Sequence, residues 1–146
     1  MNPEPVELLL VEDNPADEEL TLHVLRKNNL GNRIQVVRDG AEALEFLFGD
    51  LGNIPRLILL DLKLPRLNGL ELLARIKQDT RTKTIPVVVL TSSREDADLK
   101  ACYELGVNSY IVKPVDFIQF TESIRQLGLY WLLFNEPARS YSQQRA

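Results

Sequence analysis

Four short apolar runs in this chain each stop abruptly at a chemically reactive residue. Leu8-Leu9-Leu10-Val11 gives way to Glu12-Asp13, and Leu57-Ile58-Leu59-Leu60 gives way to Asp61. Val87-Val88-Val89-Leu90 ends at Thr91-Ser92-Ser93, and Tyr110-Ile111-Val112 ends at Lys113-Pro114. Continuous apolar runs of this length, bounded by turn residues, describe strands buried on both faces, as in a parallel sheet. Strands that all point one way bring their C-terminal ends to one edge, where open α/β sheets place their ligands. The pattern thus predicts three carboxylates, a hydroxyl and an amine gathered at one place.

Helical spacing fills the intervals. Asn14-Pro15 supplies a cap and a first-turn proline for a helix through Leu20, Val24 and Leu25, stopped at Asn28-Asn29-Leu30-Gly31. Ile34-Gln35-Val36-Val37 is a further strand, and Asp39 caps a short helix through Ala43, Leu44 and Leu47. A loop with Pro65 and Gly69 leads into a helix with Leu70, Leu73 and Ile76. Glu95 to Leu105 forms another helix, closed by Gly106. Ser109 to Val112 is the last strand, and a long helix from Phe117 to about Phe134 completes the core. Strand and helix alternate five times, which implies an α/β fold with a five-stranded parallel sheet and helices on both faces. The order 2-1-3-4-5 would set Asp13 and Asp61 opposite each other at the switch point.

A length of 146 residues fits a single domain. Its core is expected at about residues 5–134, with a polar tail over 135–146 and no output domain. The single cysteine, Cys102, excludes an internal disulfide or a cysteine-rich metal site and suits a reducing cytoplasm. With 17 basic and 21 acidic residues, the net charge of −4 argues against general nucleic-acid binding. The start, Met1-Asn2-Pro3-Glu4-Pro5, lacks the regions of a signal peptide, and no run approaches a membrane span. A cytoplasmic location is the expectation.

Three clustered carboxylates repel one another, so one stays protonated unless a cation intervenes. An all-oxygen set without histidine or cysteine suits Mg²⁺, with one oxygen each from Asp13 and Asp61 and a third from the backbone carbonyl of Lys63. Glu12 would hold a coordinated water. Magnesium with so few protein ligands usually shares a phosphate. Lys113 can pair with phosphate oxygens, Thr91 can donate its hydroxyl, and Asp61 is the natural nucleophile for an acyl phosphate. A cis Lys113–Pro114 bond would aim the lysine inward. Thr91 has a second reading as the cap of the fourth helix.

The set Glu12-Asp13, Asp61, Thr91 and Lys113-Pro114, with Leu64-Pro65-Arg66-Leu67-Asn68-Gly69 after the central aspartate, resembles the receiver domain of two-component response regulators. The resemblance implies a flavodoxin-like fold and a phosphorelay function: Asp61 takes a phosphoryl group from a histidine kinase, and the domain's own chemistry is limited to self-phosphorylation and self-dephosphorylation. It implies switch roles for Thr91 and for Tyr110, three residues before the lysine, although a static core tyrosine is an equal reading. It also implies kinase docking at Asn14 to Asp17 and Pro114 to Phe117. A narrower set, Tyr103 to Tyr110 with Gly128 to Pro137, resembles the stand-alone regulators of cyanobacterial bacteriophytochromes, which form dimers. Leu129, Tyr130, Leu132 and Leu133 lie outside the helical stripe of Phe117, Phe120, Ile124, Leu127 and Trp131, which makes them the expected homodimer interface. Two other classes compete. A haloacid-dehalogenase phosphatase wants an acid two residues after its nucleophile, where this chain has Lys63. A degenerate receiver that only binds would not need the intact acidic set.

Overall fold

A computed structural model describes residues 6–27, 33–49, 53–92 and 96–129. In chain order the elements are β1 (Leu8–Val11), α1 (Pro15–Lys27), β2 (Ile34–Val37), α2 (Gly40–Phe48), β3 (Leu57–Asp61), α3 (Gly69–Gln78), β4 (Val87–Thr91), α4 (Asp96–Glu104), β5 (Ser109–Val112) and α5 (Phe117–Gln126). All neighbouring strands pair in parallel, in the order β2-β1-β3-β4-β5. This is the five-stranded α/β fold expected from the alternation of patterns.

Successive side chains of a strand face opposite sides of the sheet. Leu9, Val11, Ile58, Leu60, Val87 and Val89 accordingly pack with Ala43, Leu47, Leu72, Leu73, Ile76 and Cys102, which places α2, α3 and α4 on one face. Leu8, Leu10, Leu57, Leu59, Val88 and Leu90 pack with Val24, Leu25, Phe120 and Ile124 of α1 and α5 on the other. Burial on both faces explains why β1, β3 and β4 contain uninterrupted apolar runs.

Local chemistry sets the helix starts. The carboxylate of Asp39 accepts from the Glu42 amide at 2.8 Å to cap α2, and Asn68 accepts from the Glu71 amide at 2.9 Å to cap α3. Gly69 therefore opens α3 rather than lying in the preceding loop. A Cβ at Gly69 would stand 2.5 Å from the Asp61 carbonyl oxygen and 2.5 Å from the Leu62 Cα, so the bare backbone lets α3 press against the end of β3.

Three expectations about the helices need correction. The last helix does not continue to Phe134; α5 ends at Gln126. Gly128 takes a left-handed φ of 73°, while its amide donates to Arg125 O and the Leu129 amide donates to Ile124 O, each at 3.0 Å. Those bonds form a Schellman stop, which satisfies the last carbonyls and turns the chain away. Phe117, placed on the buried stripe, is 45% exposed at the first position of α5, and the buried residues of that helix are Phe120, Ser123 and Ile124. Leu20 is likewise exposed on α1, whose buried side is Thr21, Val24 and Leu25. Leu129 is half-buried against the α1 and α5 core rather than free, whereas Tyr130, Trp131, Leu132, Leu133 and the 28–31 stop lie outside the described residues.

Gly69→Ala is expected to destabilise the fold by about 1–3 kcal/mol, the usual cost of forcing a methyl into a filled space. Urea unfolding monitored by circular dichroism checks this.

Candidate functional site

Ladder bonds continue just beyond the strands and align their ends. The Glu12 amide donates to Val37 O at 3.0 Å, Leu62 N to Leu90 O at 3.3 Å, and Lys113 N to Thr91 O at 2.8 Å. Glu12, Asp61, Thr91 and Lys113 thus stand side by side on the predicted edge. Carboxylate oxygens of Glu12, Asp13 and Asp61 all lie within 4.8 Å of one another. Glu12 is fully buried, Asp61 nearly so, and Asp13 is exposed at the rim.

Lys113 neutralises part of this charge. Its Nζ stands 2.7 Å from Glu12 Oε1, 2.9 Å from Asp17 Oδ2 and 3.2 Å from Asp61 Oδ2. Burial by itself would lower the lysine pKa, but its bonds to Glu12 and Asp17 and the charges of Asp61 and Glu12 outweigh it, so the pKa rises. The lysine remains a cation at every working pH. The Lys113–Pro114 bond is cis. Asp61 is further fixed by the Lys63 amide, which donates to Oδ1 at 3.2 Å.

One carboxylate does resist ionisation, as the sequence led one to expect, and it is Glu12. Burial pushes its pKa up from 4.5 to about 7, helped by a hydrogen bond with Asp61 and by that group's charge, against the opposing pull of Lys113. The donors fit a hard divalent ion: they are oxygens only, and the fully buried Glu12 carboxylate lacks solvent to stabilise its charge. Asp13 and Asp61 could hold such an ion, and Glu12 could accept from its water.

Thr91 is buried at the last position of β4, facing the same edge. Lys63 carries its side chain to solvent. Tyr110 is half-buried on β5, with its ring edge-on to that of Tyr103 at 6.1 Å and 83°. It lines a cavity of about 490 Å³ with Leu99, Val112, Lys113, Pro114, Asp116 and Gln119. Sequence reasoning missed Asp17 as a partner of Lys113. The signal was its position in the first turn of α1, four residues after Asp13, which aims it back at the strand ends.

The response regulator receiver domain family matches residues 8–125 of the chain. The protein belongs to that family. This receiver is 43% identical to the response regulator Rcp1 of Synechocystis sp. over 132 residues, 88% of this chain and 90% of Rcp1. The bacteriophytochrome response regulator RtBRR superposes with a TM-score of 0.80 at 50% identity, covering 92% of this receiver and 84% of RtBRR. The phosphorylated cyanobacterial phytochrome response regulator RcpA gives 0.73 at 38% identity, with 88% and 95% covered. Rcp1 has also been solved in a Mn²⁺-bound form, with a TM-score of 0.72 at 40% identity and the same coverages of 88% and 95%. The receiver is a response regulator of phosphorelay signalling, in a family that accepts phosphoryl groups from histidine kinases. Among the described residues no helix is long and apolar enough to cross a membrane.

The raised Glu12 pKa has a thermodynamic consequence. Between pH 4.5 and 7 the folded protein holds this proton more tightly than the unfolded chain, so the Glu12 contribution favours folding at low pH and is lost as the pH rises. Without divalent ions, wild type is expected to lose on the order of 2–3 kcal/mol relative to Glu12→Gln across that window. Chemical unfolding of both proteins at stepped pH measures the difference. Saturating Mg²⁺ is expected to shrink it.

Proposed function

We propose that Asp61 is the phosphoacceptor of this receiver and that Glu12, Asp13, Asp61 and the Lys63 carbonyl form its Mg²⁺ site. The observation that carries the reading is the Lys113 ammonium 3.2 Å from Asp61 Oδ2, within a set of three carboxylates at the same strand ends. In the transfer, an Asp61 oxygen attacks phosphorus, the P–N bond of the donor phosphohistidine breaks, and the imidazole leaves with the electron pair. Bound Mg²⁺ would supply neutralisation of the phosphoryl oxygens. The Lys63 amide orients Asp61, Lys113 pairs with the arriving oxygens, and Thr91 donates its hydroxyl to them. Self-phosphorylation by small phosphodonors and slow self-dephosphorylation use the same groups.

Tyr110 is the reporting residue in this reading. It shares a cavity wall with Lys113, so a lysine drawn onto the phosphoryl group changes the surface beside the ring. The donor is proposed to be a histidine kinase of the phytochrome type, on the strength of the likeness to RtBRR, Rcp1 and RcpA. Docking would use Asn14 to Asp17 and Pro114 to Phe117, where Phe117 is exposed. The apolar segment Tyr130, Leu132 and Leu133, following the half-buried Leu129, is proposed to join two copies, in a protein that works in the cytoplasm and binds no nucleic acid.

With Mg²⁺ and labelled acetyl phosphate, wild type is expected to take up one phosphoryl group, and Asp61→Asn none. Lys113→Ala is expected to be labelled at least tenfold more slowly, since a charge-assisted contact to the transferred group contributes about 1.5–3 kcal/mol. Undiminished labelling of Asp61→Asn would falsify the acceptor assignment. A monomer mass in light scattering, with and without phosphorylation, would remove the dimer from the reading.

A further inference from the structure

An ammonium has three N–H groups. In this receiver three carboxylates compete for those of Lys113: Glu12 at 2.7 Å, Asp17 at 2.9 Å and Asp61 at 3.2 Å. A phosphoryl group arriving on Asp61 brings its own anionic oxygens and needs a share of the same ammonium. One of the three contacts has to yield.

The three differ in what release would cost. The side chains of Glu12 and Asp61 are 0% and 7% exposed, so neither can exchange the lysine for solvent. Asp17 is 32% exposed and already borders water. It also stands on a different element. Its backbone amide donates to Asn14 Oδ1 at 3.0 Å, which fixes the residue in the first turn of α1. Through the ammonium it shares with Asp61, it adds a negative charge to the cluster that a phosphoryl dianion would join.

The geometry points to Asp17 as a positioning residue that acts through Lys113, holding the ammonium in the unphosphorylated protein and releasing it when the phosphoryl group arrives. No bond is made or broken in this exchange beyond the ion pair itself; Asp17 passes to solvent and a phosphoryl oxygen takes its place on Nζ. Asp17 therefore opposes retention of the phosphoryl group. Its release leaves the backbone bond to Asn14 in place and changes only the side chain at the start of α1, a helix that packs beside α5. The inference rests on the reading of Asp61 as acceptor.

Beryllofluoride, a phosphoryl mimic, is titrated with Mg²⁺ into the full chain as wild type, Asp17→Asn and Asp17→Glu. Asp17→Asn is expected to bind about twofold to fivefold more tightly, the range spanned by a partly exposed ion pair. Asp17→Glu, which keeps the charge, is expected to return to the wild-type affinity. In wild type the side-chain carboxyl carbon signal of Asp17 is expected to shift as the adduct forms. A purely structural role would lower the melting temperature of Asp17→Asn without tightening its binding. Equal or weaker binding by Asp17→Asn, tighter binding by both variants, or an unmoved Asp17 signal overturns the inference while leaving Asp61 as acceptor. Failure of wild type to form any adduct overturns both.

Discussion

Removing a carboxylate from water is costly unless a cation or a hydrogen-bond donor compensates. At the C-terminal edge of this sheet two carboxylates are buried within reach of each other, and the Lys113 ammonium lies between them. Everything else at that edge is arranged to make this contact possible. The parallel register brings β5 to the end of the β2-β1-β3-β4 row, one bond from Lys113 N to Thr91 O sets the lysine level with β4, and the long side chain reaches across to β1 and β3. Compensation is incomplete without a further cation, and the surplus appears as the reluctance of Glu12 to ionise. A site in that condition favours a divalent ion and a phosphoryl group arriving together, since each offsets the charge of the other.

The fold supports this charge balance at little cost in strain. Apolar side chains alternate between two core layers, so the strands that carry Glu12, Asp61 and Thr91 are fixed from both faces. Gly69 lets α3 close against the carbonyl of Asp61 where a methyl group would collide. Asp61 is thus held by elements packed from both faces, while around it lie the partly exposed Asp17 and the half-buried Tyr110 with a cavity at its side.

Much of this was legible in the residues. Short uninterrupted apolar runs bounded by turn residues read as strands covered twice, and a reactive residue directly after each run locates the site without knowledge of any contact. What escaped the sequence has identifiable causes. Periodicity carried α5 to Phe134, because a run of apolar residues continues past Gly128; the left-handed glycine and its two capping bonds decide otherwise. Spacing assigned Phe117 and Leu20 to buried stripes, but both are exposed, and Phe117 shares the angular position of Ile124 yet stands at the first position of α5, so periodicity alone does not tell how far along a helix its face is covered. Asp17 was visible as a polar residue in a first turn. Its bond to a lysine 96 residues away depends on the tertiary placement of α1, which no local pattern encodes.

The central claim is that the charge gathered at one sheet edge exists to form an acyl phosphate on Asp61. Its most direct measurement is borohydride trapping of the protein after phosphorylation with Mg²⁺ and acetyl phosphate, followed by peptide mapping, because hydride reduces an aspartyl phosphate to homoserine and leaves free aspartate intact. The expected result is homoserine at position 61 and at no other aspartate. Reduction at another aspartate, or none at position 61 in protein that carries phosphate, would contradict it.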